Sequence, residues 1–121
     1  MDPRLVESGP EEHDTGLAAD VDLARPRPIE TPWGTLALFR DGGTVRAVQA
    51  FCPHLEGPLF QGSVAGGQVT CPWHLWRFEL ASGRRVDWKN PRTGADARGL
   101  YVSAVTVGPA GTLRLARPRR T

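Results

Sequence analysis

Four side chains with metal-binding chemistry fall in two short stretches. Cys52-Pro53-His54 is followed, after 16 intervening residues, by Cys71-Pro72-Trp73-His74. Each stretch offers one thiolate and one imidazole. Each follows a strand-like run, so each reads as a loop presented by neighbouring strands. If the two loops face each other, four donors converge on one point. Two Cys and two His satisfy a tetrahedral structural zinc ion, but the usual zinc-finger order keeps the cysteines together and the histidines together. The mixed pairing here suits a [2Fe–2S] cluster with unlike ends, one iron held by a cysteine from each loop and the other by a histidine from each. Neutral imidazoles replacing two thiolates lower the net charge and so raise the reduction potential. A Cys52–Cys71 disulfide is possible by count, but a chain without an export signal keeps its thiols reduced. The third histidine, His13, stands among acids and reads as a solvated side chain.

The elements that must hold these loops are short and β-like. The apolar run Thr35-Leu-Ala-Leu-Phe39 leads into Asp41-Gly42-Gly43, a hairpin turn signal. From Val45 to Phe51 the pattern alternates, with Val45, Ala47, Gln49 and Phe51 expected on one face. Gly66-Gly67 marks another turn before Gln68-Val-Thr70. Arg77-Phe-Glu-Leu80 alternates and stops at Ser82-Gly83, and Asp87 to Arg98 reads as a polar loop. Leu100 to Val107 is the strongest strand signal, and Pro109-Ala-Gly111 turns it into Thr112-Leu-Arg-Leu115. Many short strands between turns indicate an all-β sandwich or barrel.

Composition closes off other classes. The 121 residues, 40% hydrophobic and 23% charged, make one packed domain rather than a disordered chain. Gly and Pro together exceed a fifth of the chain, which disfavours a helical bundle. No stretch nears the roughly 18 apolar residues that cross a bilayer. Residues 1–28 carry seven acids against three arginines, net −4; the remainder carries twelve bases against six acids, net +6. The acidic start is unlike a basic, then apolar, export signal, and the expectation is a cytoplasmic chain. Residues 1–20 are expected to form an acidic, flexible tail, followed by one domain over 21–118. The bases between Arg77 and Arg98 are interrupted by Glu79, Asp87 and Asp96 and accompany no nucleic-acid motif, so a solvated face is expected there.

With these residues in view the chain resembles a known family. Cys52-Pro-His54-Leu-Glu-Gly-Pro-Leu59, Gly62, Val69, then Cys71-Pro-Trp-His-Leu-Trp76, Phe78 and Ser82-Gly83 are similar to Rieske-type [2Fe–2S] domains. Small Rieske ferredoxins and the cluster domains of ring-hydroxylating oxygenases carry the resemblance best, over about residues 30–115. It implies stacked antiparallel sheets with a small cluster-binding subdomain, here about 51–76. It implies that Cys52 and Cys71 hold an inner iron, and that His54 and His74 hold an outer iron near the surface. It implies a soluble one-electron carrier rather than an enzyme, taking electrons from a reductase and passing them to a terminal oxygenase or similar acceptor. The alternatives are a small Rieske subunit of a larger redox enzyme, such as nitrite reductase, and a structural zinc module. Neither nucleic acid nor membrane is expected as a partner.

Two departures stand out. Leu75 stands where the family often has Gly, and Glu56 sits within the first ligand loop. High-potential members place serine and tyrosine hydroxyls near the cluster sulfurs; Trp76 and Phe78 stand at those positions here and offer none. Trp76 and Phe78 are expected in the core and Trp73 nearer the rim, while Trp33 and Trp88 have no chemical assignment.

Overall fold

The computed structural model describes residues 4–53, 55–95 and 97–120. Among them there is no α-helix, and no helix long and apolar enough to cross a membrane. Three antiparallel sheets form instead. The largest has five strands: β2 (Arg27–Thr31), β3 (Gly34–Asp41), β4 (Thr44–Gln49), β8 (Tyr101–Ser103) and β11 (Arg119–Arg120), in the order β11-β8-β4-β3-β2. Three strands, β1 (Glu12–Ala18), β10 (Thr112–Ala116) and β9 (Val105–Val107), make an outer sheet in that order. The third sheet, β5 (Ser63–Ala65), β6 (Gln68–Thr70) and β7 (Arg77–Glu79), carries the second Cys/His loop between β6 and β7.

The middle position of the five-stranded sheet follows from β3. Leu36, Ala37, Leu38 and Phe39 are all fully buried, so both faces of this strand are covered. Successive side chains of a strand point to opposite faces. Leu36 and Leu38 enter one core with Trp33, Ala47, Leu113 and Leu115, against the outer sheet. Ala37 and Phe39 enter the other with Val48, Val69 and Phe78, against the small sheet, and that core contains Cys52 and Cys71. The Gly42-Gly43 turn closes the β3–β4 hairpin, with Asp41 opposite Thr44 and Gly42 at φ +59°.

Four expectations need correction. Residues 12–18, expected within a flexible tail, form β1 and pair with β10. Their acids stand outward as cross-strand partners: Arg114 reaches Glu12 at 3.3 Å and Asp14 at 3.7 Å, and Thr112 Oγ1 donates to Asp14 Oδ1 at 2.8 Å. The inward positions, His13, Thr15 and Leu17, are too weakly apolar to announce a strand. His13 is half-buried and meets Trp33 edge-on at 6.2 Å rather than standing free in solvent. The run 100–107, expected as one strand, divides at Ala104 into β8 and β9, which belong to different sheets. The break lets Val102 enter the core beneath the small sheet while Val105 enters the other. At the end of β4 the alternation fails as well, because Phe51 turns to the same core as Val48 and Ala50.

Trp33 gains a role that its sequence context does not suggest. Its indole Nε1 donates to Pro10 O at 2.8 Å, and its carbonyl accepts from Val6 N at 2.9 Å. Arg117 adds bonds to the carbonyls of Glu11 and Gly9. The segment before β1 is therefore tied to the outer core. Trp33→Ala should cost about 3–5 kcal/mol in a denaturant titration. It should also speed amide exchange at Val6; unchanged exchange there would separate Trp33 from the N-terminal segment.

Candidate metal centre

The two ligand loops share one backbone plan. In the first, Cys52 N donates to Gly57 O at 2.7 Å and Glu56 N donates to Cys52 O at 3.1 Å. In the second, Cys71 N donates to Trp76 O at 2.8 Å and Leu75 N donates to Cys71 O at 3.0 Å. Each cysteine thus receives a bond from the residue four places on and gives one to the residue five places on. The residue four places on has left-handed backbone in both, Glu56 at φ +58° and Leu75 at φ +60°, as does Leu55 at φ +57°. Such backbone costs roughly 1–2 kcal/mol per residue with a Cβ. This gives physical content to the glycine that the family often carries where Leu75 stands.

The loops face each other in close contact. A Cβ at Gly57 would lie 2.8 Å from Cys71 Sγ and 3.2 Å from the Trp73 ring, so only glycine lets the first loop pass beside the second cysteine. A Cβ at Gly62 would collide with the Thr70 carbonyl, which seats the exit of the first loop against β6. The first loop is further pinned by Leu59 N to Ala50 O at 2.9 Å, and by Gln49, which donates to Phe51 O at 2.6 Å and accepts from Tyr101 N at 2.8 Å.

Cys52 and Cys71 are buried and free of disulfide, and both belong to one apolar core. His74 is exposed at the tip of its loop. His54 lies outside the described residues. Among the described residues, no three His, Cys, Asp or Glu side chains close around a single ion. Buried thiols on facing loops, a glycine cradle against one of them and a histidine on the rim form a donor set that fits a two-iron cluster. Around this rim stand Leu55, Trp73 and Leu75, with Leu55 63% and Leu75 68% exposed. Trp73 lies at the rim and Phe78 in the core, as expected. Trp76 is only half-buried, its indole lying against the core with Phe78 at 6.4 Å.

Arg85 and Asp87, two residues the sequence marks only as surface charge, complete the surroundings. The Arg85 guanidinium lies over the Trp76 ring, 3.4 Å from its centroid, and gives Asp87 two bonds of 2.8 and 3.1 Å. Asp87 Oδ1 also accepts from Arg77 N at 3.2 Å. Burial pushes the Asp87 carboxyl up, but the Arg85 hydrogen bonds and charge and the Arg77 amide outweigh it, leaving the group below its ordinary 3.8. The backbone places this pair, since Arg85 sits opposite Phe78 and Val86 N donates to Arg77 O at 2.9 Å. No local sequence pattern signals such a contact, because it depends on residues 84–86 running alongside β7.

Three outcomes test this geometry. Leu75→Gly should leave the protein as stable or up to about 1 kcal/mol more stable, because the strained backbone relaxes and an exposed side chain is lost. Gly57→Ala should instead destabilise by about 1–3 kcal/mol, through overpacking against Cys71; thermal melts separate the two. Asp87 stabilises the fold above its unfolded pKa, and that contribution is lost as pH falls below 3.8 through the depressed folded value. Acid titration of unfolding should therefore lose part of its pH dependence in Asp87→Asn.

Comparison with known proteins identifies the family. The family model described as Rieske [2Fe-2S] domain matches residues 13–105. Human apoptosis-inducing factor 3 is 35% identical over 69 residues, which are 57% of this chain and 11% of that protein; the chain thus spans about a tenth of that relative's length. Among solved structures, the ferredoxin of carbazole 1,9a-dioxygenase from Nocardioides aromaticivorans IC177 superposes with a TM-score of 0.70 at 20% identity, covering 91% of this chain and all of the other. A putative NADH-dependent nitrite reductase small subunit from Mycobacterium tuberculosis superposes with a TM-score of 0.68 at 26% identity, covering 88% and 94%. Its match over most of its length, with thiols and imidazole on paired loops, makes the chain a member of the Rieske [2Fe-2S] domain family, whose cluster takes cysteine and histidine ligands.

Proposed function

We propose that this chain is a one-electron carrier, with Cys52 and Cys71 holding the inner iron of its cluster and His54 and His74 the outer one. The observation that carries this reading is the close passage of Gly57 beside Cys71, which faces the two loops toward each other. When bound, the cluster takes up and returns a single electron. The residues around it do the rest. The apolar core formed with Val69, Phe78 and Leu80 keeps water from the thiolates. His74, exposed at the loop tip, offers a short route for the electron to a docked redox protein. Leu55, Trp73 and Leu75 around it are apolar surface for that partner to cover.

On this reading the chain performs no bond chemistry of its own. Oxygen activation of the Rieske oxygenase type needs a second iron held by two histidines and a carboxylate. The histidine left over is His13, engaged with Trp33 on β1. The chain would serve a reductase as acceptor and an oxygenase or similar enzyme as donor, in the cytoplasm. A second reading, a small Rieske subunit held by a larger redox enzyme, is favoured by the likeness to the nitrite reductase small subunit. Stable co-purification with a large flavin or haem subunit would select it over the free carrier.

Protein purified without oxygen should contain iron and sulfide at two each per chain and show a Rieske-type electron-resonance spectrum on reduction. Cys71→Ser should remove the visible colour and His13→Ala should leave it intact. Stoichiometric zinc, or colour that survives Cys71→Ser, would sink the assignment. The midpoint potential should fall in the lower part of the Rieske range of about −150 to +300 mV, because Trp76 and Phe78 give the sulfurs no hydroxyl donor.

A further inference from the structure

We infer that Arg85 and Asp87 act as an opposed pair of charges that seats the Trp76 indole against the core containing both ligand cysteines, each charge biasing the reduction potential of the site against the other. The inference rests on the proposed electron-carrier reading. Its observations are separate from the ligands.

The first observation is the stack. Arg85 Cζ lies 3.4 Å above the centre of the Trp76 ring, and the Trp88 ring stands 5.8 Å away. A planar guanidinium on an indole face gains both cation–π attraction and ring contact. The edge of the guanidinium is held by the two-pronged bond to Asp87, which fixes its plane and orientation against the ring. The second observation is burial. The Arg85 side chain is 11% exposed and that of Asp87 20%, while Asp87 as a residue lies at the surface, so Arg85 is the less screened of the two. The third is connection. Trp76 packs on the core that contains both cysteines, and its carbonyl accepts the Cys71 amide at 2.8 Å. A force on the indole is thus carried to the backbone of a ligand cysteine.

Reduction adds one negative charge to the site. A cation nearby favours that step and an anion opposes it. Together Arg85 and Asp87 nearly cancel; removing one leaves the other uncompensated. Arg77, Arg84 and Glu79 also lie on this edge, but Arg77 and Arg84 are exposed and Glu79 half-buried, so Arg85 and Asp87 are its least screened cation and its bound counter-charge. Arg85 is a positioning residue, since it acts on the site through Trp76 and through its field.

The test uses the intact, cluster-loaded protein with three variants: Arg85→Gln, Asp87→Asn and Arg85→Lys. Potentiometry should show Arg85→Gln shifted down and Asp87→Asn shifted up. A structural clamp alone would not do this, because both variants break the same clamp and would move the potential the same way. Arg85→Lys keeps the charge but loses the flat stack, so its potential should stay near that of the parent. The indole is read separately, in a Trp73→Phe, Trp88→Phe background that leaves Trp76 and the buried Trp33. There, acrylamide quenching should rise in Arg85→Gln and Arg85→Lys, with or without the cluster. Shifts of the same sign, or no shift, overturn the electrostatic role, and unchanged quenching overturns the positioning role. A parent protein that takes up no redox-active cluster refutes the carrier reading and the potential-setting role with it, while the quenching result still decides the clamp.

Discussion

A single steric constraint holds the centre together: the backbone of one loop must pass within van der Waals contact of the thiol of the other. Gly57 meets it, with its missing Cβ leaving room for Cys71 Sγ and the face of Trp73. Gly62 meets a second constraint of the same kind against the Thr70 carbonyl. With both contacts in place the loops lie against each other, and the two thiols share one apolar core. The matched hydrogen-bond pattern about Cys52 and Cys71 then follows, each cysteine closing its own short ring of backbone. The left-handed conformations of Glu56 and Leu75 are what these rings demand, and the neighbouring contacts hold them against their intrinsic cost.

The loops would have no fixed base without the double-sided burial of β3. Its alternate residues fill two cores at once, which locks the five-stranded sheet between the outer sheet and the small one. The core on the small-sheet side is continuous with the cysteines. Stability of the scaffold and seclusion of the thiols are therefore one property. On the far side, the outer sheet gathers the N-terminal segment through Trp33, β1 and Arg114. Two of the acids that make this end of the chain negative, Glu12 and Asp14, face Arg114 across the strands.

Polar chemistry is distributed by depth. The thiols sit deepest, inside apolar packing that excludes water. The Trp76 indole, half-buried against that packing, carries the Arg85 guanidinium on its face, with Asp87 beyond it toward the surface. His74 and the leucines of the tips lie outermost. This ordering suits a site that must retain a charge change internally and exchange it only at one exposed edge.

The all-β class, the two Cys/His stretches, the Gly42-Gly43 and Gly66-Gly67 turns and the loop character of residues 87–95 were legible from residue types and spacing alone. Each is a local property, written in period, turn chemistry or donor identity within a few residues. Glycine at 57 and 62 was legible as a need for compactness, but not as two specific contacts. What lay beyond the sequence depends on partners distant in the chain. The strand at Glu12–Ala18 exists because β10, about a hundred residues away, supplies its hydrogen bonds and its Arg114. The break at Ala104 exists because two different sheets claim the residues on either side. The seat of Arg85 on Trp76 exists because residues 84–86 fold back beside β7. Sequence by itself determined which donors and turns were present, since these are properties of the residues. Tertiary structure decided which surfaces meet, because burial and pairing energies are gained only when separated segments are brought together.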